Sequence, residues 1–430
     1  MTKIGSEIMT YIEVNKKNIN SGNEKIYNET DDIKKKWRKV RLDEVIEVNP
    51  KETLRKNIMA KYIEMSNLDC FARQIKKFEI RAYKSGTKFK NGDTLLARIS
   101  PCLEKGKTSL VDCLDNELEV GFGSTEYIVM RAKKGLMNEK YLYYMAISYS
   151  FRELAIKSMN GSSNRQRVQK NLLFSQIIDL PPLETQEKIS SILSSLDDKI
   201  EINNEINKSL KDIAKTLFKS WFIDFEFPNE EGKPYKSSGG KFVESDLGLI
   251  PEGWRIVEIG KNIKFIKGKK PHKIELKKTK ETPLKYLTIK SLNDEEVLYC
   301  SEDKIIKIKE TDIIMVMDGA SSGTSYLGKN GVLGSTFSKI EIKSNLDKIL
   351  FFMYLKYYEE EIKTHTTGSA IPHTDKSYIF NLKWVFPKKL LKEKFESYIL
   401  KNRELKKQTQ ILIQIRNLLL QKLMNGEIRV

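Results

Sequence analysis

Between Glu184 and Phe225, apolar side chains recur at steps of three and four: Ile189, Ile192, Leu193, Leu196, Ile200, Ile206, Leu210, Ile213 and Leu217. That spacing predicts an amphipathic helix, and the stretch holds no glycine or proline to break it. Pro181 and Pro182 stand just upstream, where a helix begins. About 42 residues at about 1.5 Å each make a rod of about 60 Å, too long for an ordinary globular domain. Taken in sevens, Ile189, Leu196, Asn203, Leu210 and Leu217 share a seam, with Ile192, Ile206 and Ile213 beside it. This is a coiled-coil pattern, and its polar member Asn203 is of the type that fixes register and partner choice. A long core helix is the alternative reading. From Glu393 to Gly426 the periodicity returns in Phe395, Ile399, Leu405, Leu412, Ile415, Leu419 and Leu423. Two helices with one apolar seam each bury it most simply against one another, and an antiparallel pair is expected.

Outside the helices the pattern shortens to β-type runs with turn signals. Residues 1–36 are polar and rich in Asn, Lys and Glu, and are read as a flexible extension. From Trp37, Val40–Val48 alternates, Lys90-Asn91-Gly92-Asp93 is a turn, and Thr94–Ile99 and Glu126–Met130 are strands. Asn138–Ala155 has helical period, Met159–Val168 is a polar loop, and Phe174–Leu180 is a strand leading to the prolines. Residues 37–183 thus form one mixed α/β domain, 184–225 the first long helix, and 226–253, rich in Gly and Pro, a linker. Then the plan repeats. Trp254 echoes Trp37, Lys309–Ile314 echoes Lys90–Leu95, and Leu333-Gly334-Ser335-Thr336 echoes Phe122-Gly123-Ser124-Thr125. Thr367–Ala370 echoes Asn160–Ser163, and Phe386-Pro387 echoes Leu180-Pro181. Echoes in the same order make a tandem duplication, with 254–392 the second domain and 393–430 the second helix. The fold class is α+β: two similar mixed domains separated by two long antiparallel coiled-coil helices.

Charge changes the picture. The formal net charge is +18. Residues 37–183 and 254–392 each carry 26 Lys and Arg against 17 Asp and Glu, whereas 184–225 carries six against eight. Two equally basic modules joined by a near-neutral helix point to an acidic partner, nucleic acid before membrane. No run approaches a membrane span. The four cysteines lack CxxC spacing, so a reduced, cytoplasmic setting is expected, and three scattered histidines make no metal site. Gly121-Phe122-Gly123 lacks the third glycine of a phosphate loop and is read as structural. Pro181-Pro182 lacks the flanks of an amino-methyltransferase motif, and no nuclease-type carboxylate set follows Asp224 and Glu226. No catalytic constellation is found.

The loop Ser162, Ser163, Asn164, Arg165, Gln166 and Arg167 carries the residue types that reach base edges and phosphates. Its echo holds Ser369, His373, Thr374, Asp375 and Lys376. Second candidates are Arg98, Ser100, Lys105 and Lys107 in one domain, and Ser321 and Ser322 in the other. A plain solvated loop is the competing reading for each. For a partner surface the candidates are Leu196, Asn203, Leu210, Leu217, Trp221, Phe222, Leu412 and Leu419, with Trp221 and Phe222 expected to point outward.

Leu180-Pro181-Pro182-Leu183-Glu184 with Gln186, then Leu193, Leu196 and Ile200, then Leu217, Trp221, Asp224 and Phe225, resembles the central region of type I restriction-modification specificity subunits. The ending Leu419, Gln421, Lys422, Leu423, Gly426, Ile428 and Arg429 is similar to the end of the same family. With the tandem plan the resemblance covers roughly residues 37–430. It implies two target recognition domains, each reading half of a bipartite double-stranded DNA site, and helices that dock two methyltransferase subunits. It implies no cofactor on this chain; S-adenosylmethionine belongs to the methyltransferase subunits, and ATP and Mg to the restriction subunits. Residues 1–36 extend beyond the family's usual start, and Phe386-Pro387-Lys388-Lys389-Leu390 departs from its Pro-Pro-Leu-Glu motif. A basic coiled-coil scaffold and a self-contained DNA methyltransferase or nuclease are the alternatives.

Overall fold

The computed structural model describes residues 36–162, 166–293, 296–303, 305–343, 346–368, 371–387 and 391–430. The expectation for 1–36 therefore lies almost wholly outside the described residues. The chain divides into two compact units, one running to Asn203 and joined by Gln408–Val430, the other Asn204–Lys407.

In the first unit, β1 (Arg38–Arg41) pairs with β12 (Ile177–Leu180), closing the globule where the first long helix begins. β2 (Ile46–Val48), β9 (Tyr127–Ala132), β6 (Thr94–Ala97) and β7 (Thr108–Leu110) form one antiparallel sheet. A second sheet runs β4 (Glu79–Ala82), β3 (Met59–Ile63), β8 (Gly121–Gly123) and β5 (Thr87–Phe89). Within it β3 and β8 are parallel. Gly123 is required there, because a Cβ would lie 2.4 Å from the Ile63 carbonyl oxygen. β10 (Met159–Asn160) and β11 (Arg167–Val168) make a small hairpin. Helices Glu139–Ile147 and Tyr149–Lys157 replace the single expected helix, because the Ser148 side chain caps the second at Phe151 N.

The second unit opens with the hairpin of β13 (Phe242–Val243) and β14 (Ile250–Pro251). The expected linker 226–253 is built into this unit: Phe227 stacks on Trp254 at 4.7 Å and on Tyr235 at 4.5 Å. β15 (Arg255–Glu258) pairs with β27 (Lys383–Phe386), as β1 does with β12. β16 (Ile263–Lys267), β24 (Phe337–Ile342), β21 (Ile313–Val316) and β22 (Ser325–Leu327) repeat the first sheet. β17 (Ile274–Glu275), β19 (Leu298–Cys300), β18 (Leu284–Leu287), β23 (Gly331–Leu333) and β20 (Lys307–Ile308) repeat the second with one strand added. β18 and β23 are again parallel, and a Cβ on Gly334 would meet the Leu287 carbonyl oxygen at 2.3 Å. The turns match as well: Lys90 N donates to the Asp93 carboxylate at 2.8 Å and Lys309 N to Asp312 at 2.9 Å. β25 (Thr366–Thr367) and β26 (His373–Thr374) form the equivalent hairpin.

The long helices run Leu183–Phe222 and Glu393–Met424. In the first unit they are antiparallel: Ile189 and Leu193 share a core with Leu420 and Leu423, while Asp197 meets Arg416. In the second they are antiparallel too, with Asn402 donating to the Asn207 carbonyl and Phe218 and Phe222 against Phe395. The expected heptad seam is corrected. The buried face carries Ile189, Leu193, Asp197, Ile200, Asn203, Asn207, Ala214, Phe218 and Phe222. Leu196, Leu210 and Leu217 are half-buried on its flank, and Ile192, Ile206 and Ile213 are exposed. A helix of 3.6 residues per turn drifts by about 20° per heptad, so a straight pair cannot keep one strict seven-residue line inside.

Candidate nucleic-acid interface

The fold joins the two candidate loops of the first unit. Val168 N donates to Arg98 O at 2.9 Å and Ser100 N to Gln166 O at 3.1 Å, with Ile99 bridged to Arg167. The loop after β6 and the β10–β11 hairpin are therefore one surface. On it Arg167 donates to the carboxylate of Glu126, 2.6 Å from Nη2 and 3.1 Å from Nε. That bond holds the Glu126 carboxyl below its ordinary range. Ser162 is exposed at the hairpin. Ser163, Asn164 and Arg165 lie outside the described residues.

The other side chains divide by what holds them. Lys105 is exposed. Arg98 Nε donates to Val168 O at 3.3 Å, Ser100 Oγ to Glu104 at 2.7 Å, and Lys107 Nζ to Met65 O at 2.7 Å. These three are spent partly on the loop's own shape. Arg152 was not a sequence candidate. It donates to Glu104 O at 2.7 Å and sits 4.6 Å from the Phe71 ring, bracing the loop from beneath.

The second unit repeats the bridge with different residues. Thr374 N donates to Met317 O and Gly319 N to Pro372 O, both at 2.9 Å, and Asp318 is bridged to His373. His373 Nδ1 lies 2.9 Å from Asp318 Oδ1, and Lys267 Nζ lies 2.5 Å from Oδ2. Against a cost of burial, the hydrogen bonds from Lys267 and His373 draw the Asp318 carboxyl down overall. Ser321 is half-exposed, and Lys376 lies 5.7 Å from the Phe265 ring. Ser322 departs from the exposed position expected of it: it is buried, and its hydroxyl donates to Gly319 O at 2.7 Å and Pro372 O at 2.8 Å, stitching the loop together. Thr374 is buried likewise, on Val316 O. Ser369 lies outside the described residues.

The expected partner surface is also corrected. Phe222 is 1% exposed, among Phe218, Trp254, Trp384 and Phe395, and Trp221 packs edge-on to Phe395 at 5.7 Å. Both belong to the second unit's own core, which needs them because its globule meets the helix through aromatic rings. Asn203 is buried, and its side-chain amide finds no partner among the described residues. Leu412 and Leu419 are half-buried. The outward apolar positions are Ile192, Ile202, Ile206 and Ile213 on the first helix and Leu400, Ile411 and Leu418 on the C-terminal one. Among the described residues no group of three metal-ligating side chains converges, and no helix is long and apolar enough to cross a membrane.

A duplicated α+β unit, each copy followed by a long helix and presenting a hairpin bridged to a loop, defines the class of this molecule. The chain is similar to type I restriction-modification specificity subunits. Residues 34–212 match the family described as type I restriction modification DNA specificity domain. The MjaVIII specificity subunit of Methanocaldococcus jannaschii is 37% identical over 142 residues, 32% of this chain and 33% of that one. The MjaIX specificity subunit of the same organism is 28% identical over 391 residues, 86% of this chain and 84% of that one. In fold, the crystal structure of the type I restriction-modification S subunit from M. genitalium aligns with a TM-score of 0.54 at 19% identity, covering 90% of this chain and 96% of that one.

Proposed function

We propose that this chain is the sequence-specific DNA-recognition subunit of a cytoplasmic type I restriction-modification complex. Each unit reads one half of a bipartite double-stranded site through the loop–hairpin surface, and the outward faces of the long helices dock two methyltransferase subunits. The chain performs no chemistry. S-adenosylmethionine is held by the methyltransferase subunits, and ATP with Mg by the restriction subunits. The observation that supports the reading is the repeated bridge, Arg98–Val168 in one unit and Met317–Thr374 in the other, by which a hairpin is joined to the loop after the equivalent strand in both units. Two readers of one design with different side chains suit an asymmetric two-part sequence. The basic excess of both modules supplies the phosphate attraction, which falls steeply with salt.

Mapping methylated adenines in DNA from cells carrying this chain with its methyltransferase subunits tests the proposal. The expected result is a two-part motif that disappears when the chain is deleted. Methyl transfer by the purified chain alone would overturn it.

A further inference from the structure

We propose that Glu126 is a specificity-determining residue of the first unit: it competes for the Arg167 guanidinium, so that this cation is released to a base edge more readily than to a phosphate. Asp318 does the same for His373 and Lys267 in the second unit. The inference rests on the DNA-reading function proposed above.

Glu126 is fixed from both sides. Its backbone N–H donates to Ser124 Oγ at 3.1 Å, and its carbonyl accepts Arg98 N at 2.9 Å. Arg167 stands on the hairpin, its side chain 45% exposed. The fork between them, with Nε and Nη2 both facing the carboxylate, is the geometry by which arginine also grips the O6 and N7 of guanine. A phosphate that takes Arg167 must break this fork and then sit as a second anion beside Glu126. A guanine edge offers two neutral acceptors and brings no such repulsion. Specificity gained by penalising the wrong ligand is the general logic.

The second unit reaches the same arrangement from other positions. Thr336 occupies the place of Glu126, since Met317 N donates to Thr336 O at 2.8 Å as Arg98 N does to Glu126 O. The acid is instead Asp318, on the loop, and it holds the hairpin's His373 together with Lys267. A pairing merely inherited by duplication would keep the same residue positions. Exposed ion pairs contribute little to stability, so the fold gives little reason to build one twice.

The test uses the full chain assembled with its methyltransferase subunits, and measures binding to the mapped cognate duplex and to a scrambled duplex at two salt concentrations. Glu126→Gln is expected to tighten the scrambled duplex by about two- to fivefold, the range of an exposed ion pair, with less change on the cognate one. In an Arg167→Ala background the same substitution should change neither. Equal change on both duplexes, or an effect that persists without Arg167, would overturn the inference, since each is what simple loss of a negative charge produces. Glu126→Asp, which keeps the charge with a shorter reach, should give an intermediate cognate-to-scrambled ratio; a ratio at or below that of Glu126→Gln counts against competition. Asp318→Asn should lower discrimination only when the second half-site is scrambled. A wild-type complex that fails to distinguish the two duplexes would sink the DNA-reading function itself, a separate outcome.

Discussion

Asp197 and Arg416 are 2.8 Å apart, with 4% and 6% of their side chains exposed. Tyr144 donates its hydroxyl to the other carboxylate oxygen at 2.7 Å, so both oxygens of Asp197 are satisfied inside the first unit. Burying such a pair costs desolvation that the attraction roughly offsets, but leaving one member alone is expensive. Asp197→Ala is therefore expected to cost the first unit about 3–5 kcal/mol, and Asp197→Leu with Arg416→Met to recover most of it. Urea unfolding followed by probes in this unit measures both; equal losses in single and double variants would contradict the account. Phe222 in the second unit is held by dispersion and burial alone, and Phe222→Ala should cost about 3–5 kcal/mol. If Phe222 were instead a docking residue, that change would leave the unfolding midpoint alone and weaken assembly. The Glu126 carboxyl lies below its ordinary value because Arg167 donates to it. An acid with a depressed value keeps its pair above the ordinary carboxylate range, near about pH 4.3, and loses it only as pH falls through the depressed value. Between pH 6 and 8 this pair should add no pH dependence to DNA binding.

The first long helix shows what an element's sequence states and what it withholds. Its extent was legible, since an unbroken apolar period from Glu184 to Phe225 becomes a helix from Leu183 to Phe222. Its inner face was not, because Asp197, Asn203 and Asn207 take buried positions that hydropathy assigns to leucines and isoleucines. What puts Asp197 inside is Arg416 on a helix more than two hundred residues away, and no local pattern encodes that partner. The Lys90–Asp93 and Lys309–Asp312 turns were legible because each has a local cause that recurs in the duplicate, whereas the glycine echo is one residue out of register: Gly334 O accepts Phe337 N as Ser124 O, not Gly123 O, accepts Tyr127 N. Val40–Val48 misled, because Leu42 and Val45 are buried three apart on a helical turn set between two short strands. The loops that face each other were found as separate candidates. Two of their partners were missed: Glu126 lies 41 residues from Arg167, and Lys267 lies 51 from Asp318. Ile206 and Ile213, one heptad apart and 39% and 49% exposed, test the proposed docking by the helix. Ile206→Glu with Ile213→Glu should leave the unfolding midpoint within about 0.5 kcal/mol, as surface changes do, yet abolish co-purification with methyltransferase subunits. Undiminished co-purification would move the docking surface elsewhere.

At the scale of the whole molecule the duplication is the organising fact, and it makes the units exchangeable in principle. Each has its own cores and its own pair of helix segments. In the first unit the globule grips those segments through specific residues: Arg73 with Asp198 and Glu201 at 2.5 and 2.6 Å, Tyr144 with Asp197, and Tyr141 and Phe151 in the core shared with Leu420 and Leu423. A relative's domain placed over 37–179 must therefore supply an arginine and a tyrosine at the places of Arg73 and Tyr144, or Asp197, Asp198 and Glu201 lose partners. With that condition met, methyltransferase subunits assembled with the chimera should methylate a motif changed in one half and identical in the other, because no residue of 254–392 has been touched. A donor lacking the two residues should give a protein that unfolds early, and restoring them should recover both folding and the hybrid motif. Adenine methylation mapping reads the result directly. If a well-folded chimera altered both halves of the motif, the two units would not read independently, and the duplication would be a matter of ancestry with no bearing on how the site is divided.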